Sequence, residues 1–151
     1  MMTVTRETVK GYDTWQGGKY QYDFKRKDIA KAIRKDIADA IACGNLPAAL
    51  TVSVTSKFQG FTARITMKVT GGVPFAVYER IAGKDYPALT AKWRELKSTL
   101  LAIAAEYSEG ESHMQSDYYR ANFHAECYIE PTYDQSHYAL VGGRIIGGRK
   151  E

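Results

Sequence analysis

Hydrophobic and polar positions along this chain follow two periods, and each period marks its own elements. From Lys27 to Cys43 (KDIAKAIRKDIADAIAC) the isoleucines Ile29, Ile33, Ile37 and Ile41 recur every four positions, with Ala30 and Ala40 beside them. At about 100° per residue these six occupy a sector of about 120°. Lys27, Lys31, Arg34 and Lys35 fall on a roughly opposite sector. The stretch predicts an amphipathic helix with one apolar and one basic stripe. Asp28 stands in its first turn, where a negative charge meets the helix dipole favourably. Gly44 is placed for a left-handed cap, and Asn45 and Pro47 stop the helix.

The period then changes to two. In Leu50 to Lys57, Leu50, Val52 and Val54 alternate with Thr51, Ser53 and Thr55. After Gln59 and Gly60, Phe61, Ala63, Ile65, Met67 and Val69 alternate with Thr62, Arg64, Thr66, Lys68 and Thr70. Two such runs joined by a short glycine-containing loop predict a β-hairpin. Its apolar face seats the isoleucine stripe; its other face is rich in threonine and made basic by Arg64 and Lys68. Gly71, Gly72 and Pro74 end it, and Phe75 to Tyr86 reads as a connection with room for one helical turn at Ala76 to Ile81.

Helical spacing returns from Leu89 to Tyr107, where Leu89, Trp93, Leu96, Leu100, Ile103, Ala104 and Tyr107 form one stripe. A third strand follows, with Phe123, Ala125, Cys127 and Ile129 alternating with Asn122, His124, Glu126 and Tyr128. The expected fold is α+β in the order α-β-β-α-β: a three- or four-stranded antiparallel sheet with both long helices on one face. Three regions follow. Residues 1–24 read as an aromatic-rich segment, an ordered arm or short strand at Lys19 to Phe24, and 25–131 as one domain. Residues 132–151 read as a glycine-rich basic tail in which Ala139-Leu140-Val141 and Ile145-Ile146 have room for a weak edge strand.

Composition narrows the class. With 151 residues and 44% hydrophobic content the chain predicts one globular domain. No apolar run approaches the roughly 20 residues of a membrane span. The first residues, MMTVTRETVKGYD, have no apolar signal core, so the expected compartment is the cytoplasm. Two cysteines, Cys43 and Cys127, are too few for a disulfide framework, and both read as buried free thiols. Net charge is +4 but uneven. Residues 1–35 carry nine basic side chains against four acidic, and 106–134 carry seven acidic against Arg120 alone. Such a dipolar surface can steer a charged partner.

Catalytic signatures are not legible. His124-Ala125-Glu126 matches the H-x-E of zinc deaminases, but the companion P-C-x-x-C is absent, and on a strand Cys127 points away from His124 and Glu126. His113 and His137 lack further ligands at metal spacing. Gly142-Gly143-Arg144 and Gly147-Gly148-Arg149 lack the spacing of a phosphate loop. The expectation is a protein without enzymatic activity, metal or cofactor. Nucleic-acid contact is physically better supported: a stripe of Lys27, Lys31, Arg34 and Lys35 can neutralise several phosphates, and Tyr118, Tyr119 and Tyr128 can stack bases if exposed.

Taken in order, FKRKDIAKAIRKDIADAI, LTVSVTSKFQGFTARITMKV, LLAIAAEY and SDYYRANFHAECYI resemble the large polyvalent protein-associated domains of phages and plasmids. Those domains read K-x-I-A-K-x-I-R, an F/L-S-V hairpin and an S-D-x-x-x-D-Y-F-x-x-N-F-Y segment. Here Tyr119 stands for the usual Phe and His124 for the usual Tyr, and Thr55 and Ser56 take places where basic residues often follow the S-V pair. The resemblance spans about Tyr22 to Pro131. It implies a mobile-element setting and a small binding protein, such as a counter-defence inhibitor of the anti-CRISPR kind, acting on a host protein or nucleoprotein. It implies no catalytic residues. The expected contact residues are Lys27, Lys31, Arg34, Lys35, Arg64 and Lys68, with a DNA- or RNA-binding module as the alternative.

Overall fold

The computed structural model describes residues 4–80, 87–113 and 115–137. These described residues form nine strands and three helices: β1 (Val4–Val9), β2 (Tyr12–Gly17), α1 (Arg26–Ala42), β3 (Thr51–Gln59), β4 (Thr62–Gly71), β5 (Tyr78–Arg80), β6 (Pro87–Leu89), α2 (Ala91–Ala105), β7 (Glu109–His113), β8 (Tyr118–Ala121), β9 (His124–Ile129) and α3 (Pro131–His137). The strands form three sheets, in the orders β1-β2-β7-β8, β3-β4-β9 and β5-β6.

The core forms around β4. Ala63, Ile65, Met67 and Val69 point inward from it and are buried. Register sets Val54 beside Met67 on β3, and Ala125, Cys127 and Ile129 beside Ile65, Met67 and Val69 on β9. Onto this surface α1 lays Ile29, Ala30, Ile33 and Ile37, and α2 lays Trp93, Leu96, Leu100 and Ala104. Burying one such aliphatic side chain is worth about 1.5–3 kcal/mol. Caps agree with the chemistry at the helix ends. Asp28 accepts the Lys25 backbone N–H at 3.0 Å, and Thr90 Oγ1 accepts the Trp93 N–H at 3.2 Å. Gly44 adopts φ of 89°, the left-handed cap after α1.

Several expectations are corrected. There is not one antiparallel sheet carrying two long helices in the order α-β-β-α-β; the described chain is β-rich, with three sheets and a third short helix. The third strand, β9, pairs with β4 in parallel. The chain leaves β4 and returns through α2, and a helical crossover delivers a strand in the direction of the one it left. Lys19 to Phe24 is not a strand. The N-terminal strands are β1 and β2, a hairpin whose second strand pairs with β7, so the segment just after α2 is also sheet. Gly17 permits this closeness, because a Cβ there would stand 2.3 Å from the Glu106 carbonyl at the end of α2. In place of a helical turn after Ala76, Tyr78–Arg80 is a strand paired with β6. Residues 131–137 are helical, and Tyr133 Oη accepts the Val73 N–H at 2.9 Å. The expected edge strand at residues 139–146, the glycine-arginine repeats and the rest of the tail lie outside the described residues. Phe61, expected on the buried face, is fully exposed, because it lies in the turn between β3 and β4 and not on a strand. Cys43 is exposed at the C-cap, while Cys127 is buried.

Two interactions tie α2 to its surroundings. Asp36 accepts the Tyr107 hydroxyl at 2.5 Å and the Lys19 ammonium at 3.0 Å, linking α1, the end of α2 and the turn after β2. Burial, then the bond to Asp36, raises the Tyr107 pKa, so this hydroxyl stays protonated. Asn122 stands between β8 and β9. Its Oδ1 accepts the Glu109 N–H and its Nδ2 donates to the Tyr107 carbonyl, both at 2.8 Å, and its own N–H donates to the Glu109 carbonyl at 2.9 Å. One residue thus fixes the corner where the chain passes from one sheet to the other.

Urea unfolding should show Ile65→Ala destabilising by about 2–5 kcal/mol and Phe61→Ser by under about 0.5 kcal/mol. Burial pushes the Cys127 thiol up to about 11, so it holds its proton at pH 8. A thiol reagent at pH 8 should label Cys43 quickly and Cys127 only after unfolding; two fast thiols in the folded protein would contradict this burial.

Candidate functional site

The basic stripe of α1 divides into two halves. Arg34 donates Nε and Nη2 to the Val54 carbonyl at 3.1 and 2.8 Å. Arg26 donates Nη1 to the Ser56 carbonyl and hydroxyl, both at 3.0 Å, and its guanidinium lies 4.8 Å from the Phe58 ring centre. Val54 and Ser56 sit two apart on β3, so their carbonyls leave the same free edge of the sheet. Two arginines about two turns apart on the helix therefore occupy edge acceptors that would otherwise invite another strand. Lys35 pairs with Asp39 at 3.0 Å, and that hydrogen bond raises its pKa. Lys27 and Lys31 are exposed and make no ion pair among the described residues. Of the four expected helix contacts, two are thus engaged within the protein and two face outward.

Arg64 and Lys68 lie elsewhere, on the outer face of the β3-β4-β9 sheet, away from the helices. Register sets three rows across this face: Lys57, Arg64 and His124; Thr55, Thr66 and Glu126; Ser53, Lys68 and Tyr128. The alternation that buries Ile65 and Met67 forces these polar residues outward together. All of them but Ser53 and His124 line, with Gln59, an open groove of about 540 Å³. Glu126 is its one carboxylate, held by Arg64 Nη1 at 3.2 Å and by the Thr66 hydroxyl at 3.0 Å. Arg64 Nε also donates to Gln59 Oε1 at 2.8 Å. Lys57 is exposed and forms no ion pair among the described residues. Lys68 lies near Glu130, whose carboxyl is held below the usual range chiefly by the Tyr133 backbone N–H and to a lesser degree by Lys68.

Beside Arg64 at the margin of this face, His124 leads to a second surface. Its ring stacks on Tyr119 of β8, with centres 5.5 Å apart and planes at 10°. Tyr119 in turn meets Trp15 of β2 at 5.8 Å, and the Arg6 guanidinium of β1 lies 5.6 Å from the Trp15 ring centre. Trp15 donates Nε1 to the Ser108 hydroxyl at 2.9 Å. Its indole occupies the space that a Cβ on Gly110 would need. Tyr119 and Tyr128 remain 55% and 42% exposed.

The tyrosines are legible as stacking candidates in the sequence; Lys57 stands unassigned near the hairpin loop, and nothing there links Arg6, Trp15 or His124 to them. Local spacing does not connect Trp15 to Tyr119, which meet only because β7 lies between their strands. The opposite face of the β1-β2-β7-β8 sheet is acidic. There Arg120 binds Glu109 with both nitrogens, at 2.9 and 2.6 Å, and the hydrogen bond raises the Arg120 pKa.

As the alternation predicts, His124 and Glu126 share the outer face and Cys127 points into the core. Among the described residues no group of three or more His, Cys, Asp or Glu is arranged to hold a metal, and no helix is long and apolar enough to cross a membrane. No family model, curated protein or solved structure matches this chain. The likeness to polyvalent protein-associated domains therefore rests on the sequence segments alone.

Arg34→Met should destabilise the fold by about 1–3 kcal/mol, since it exposes the edge carbonyl of Val54, whereas Lys31→Met should change stability by under about 0.5 kcal/mol. Chemical denaturation of the two variants in parallel checks the contrast; equal effects would mean that Arg34 carries no structural role.

Proposed function

We propose that this chain is a non-enzymatic binding module whose ligand is a nucleic acid, held by its phosphates on the outer face of the β3-β4-β9 sheet. The observation that carries this reading is the arrangement of the three rows. Lys57 and Lys68 flank the exposed Thr55, and the one carboxylate in the rows, Glu126, is already paired with Arg64 and Thr66. Cations beside a hydroxyl donor suit a chain of phosphates. A stable protein interface is centred on an apolar patch, and among the described residues the three rows of this face offer only the Tyr128 and His124 rings. The outer face supports the reading better than the α1 stripe, which has no serine or threonine hydroxyl beside its lysines.

A host nucleoprotein presents the same phosphates. On this reading the counter-defence setting implied by the resemblance uses the same face. Lys27 and Lys31 lie on a separate surface and add at most a diffuse attraction, which salt screens beyond about 10 Å at 0.1 M.

The test is a binding titration of labelled single- and double-stranded DNA and RNA across a salt series. Binding should weaken linearly in log–log form with salt. Lys57→Glu with Lys68→Glu should make the slope shallower by about 1.4, at about 0.7 for each single-strand phosphate that is no longer neutralised. Lys27→Glu with Lys31→Glu should leave most of the affinity in place. No binding at micromolar protein in low salt, or a helix-face pair that matters more than the sheet-face pair, overturns the proposal.

A further inference from the structure

Phosphates account for the cations of this face but not for the rings beside them. Resting on the phosphate-binding reading, we infer that Trp15, Tyr119 and His124 form a base-stacking platform. The ligand is then a single strand, running from the outer face of β3-β4-β9 onto the β1-β2-β7-β8 sheet. The three rings form an unbroken series, with centres 5.8 and 5.5 Å apart, that crosses from one sheet to the other. It has cations at both ends. Arg6 lies over Trp15, and His124 stands in one register row with Arg64 and Lys57.

Packing explains part of this series. Trp15 fills the space above Gly110 and satisfies its indole N–H on Ser108. Packing does not explain Tyr119, which leaves 55% of its surface to water while keeping its ring nearly parallel to His124. Nor does it explain Tyr128, 42% exposed in the row beside Glu126. A duplex turns its base faces inward and presents only edges and phosphates, so it can use the cations but not the rings. A single strand can use both, because every base has a π-face and stacks with little regard to sequence. The corner fixed by Asn122 is what sets Tyr119 of β8 against His124 of β9.

The experiment compares three probes of equal length on the full chain: a thymine single strand, the same sugar-phosphate strand without bases, and a duplex. The wild-type protein should bind the thymine strand about tenfold or more tightly than the abasic strand. Tyr119→Ala should weaken thymine-strand binding about tenfold and leave abasic and duplex binding unchanged, and Tyr119→Phe should restore it. Trp15 emission should be quenched by the thymine strand and not by the abasic one, over a constant background from buried Trp93. Equal binding of the thymine and abasic strands, or a Tyr119→Ala variant with wild-type affinity, overturns the platform and leaves phosphate binding standing. Failure of all three probes overturns both.

Discussion

Strand β4 has to bury one face completely, and most of the molecule is arranged to let it do so. Ile65, Met67 and Val69 reach essentially no water, and Ile33 from α1 and Leu100 from α2 are equally enclosed. Strict alternation means that each inward residue commits its neighbours to the opposite face. Burial of Ile65 and Met67 therefore places Arg64, Thr66 and Lys68 together outside. The polar groove is the reverse side of the core, and no separate device builds it.

The same constraint explains what became of the basic helix face. A helix seated on a sheet of three strands lies close to an edge, and an edge strand exposes unpaired carbonyls. Arg26 and Arg34 reach from α1 to the carbonyls of Ser56 and Val54 and satisfy them. Arginine suits this work, since its planar fork gives several donors to a fixed acceptor. A stripe that looks uniform in charge is therefore divided in role, and charge alone does not reveal which cations stay available.

Joining two sheets required a second device. The segment from Tyr107 to Phe123 leaves α2, forms β7 and β8, and turns into β9, and Asn122 holds both ends of that path through three backbone hydrogen bonds. Phe123 follows it directly into the core. This corner brings an aromatic strand from one sheet against the polar face of the other. The Asp36 network with Lys19 and Tyr107 anchors the same region from the side of α1.

By itself the sequence determined α1, the β3–β4 hairpin, α2, and which residues of β9 face inward. All of these follow from periods of 3.6 and 2 that local sterics and burial impose on neighbouring residues. It also determined that Arg64 and Lys68 share a face, because alternation is a local rule. Only the tertiary structure decided that β9 runs parallel to β4, since a period of two reads the same in either direction. Only it decided that β2 pairs with β7, because this exposed strand carries almost no hydrophobic pattern and its partner lies more than ninety residues away in sequence. The division of the basic stripe and the meeting of Trp15, Tyr119 and His124 were decided there too. Each depends on hydrogen bonds or ring contacts between residues far apart in the chain, and no local periodicity encodes a contact of that kind.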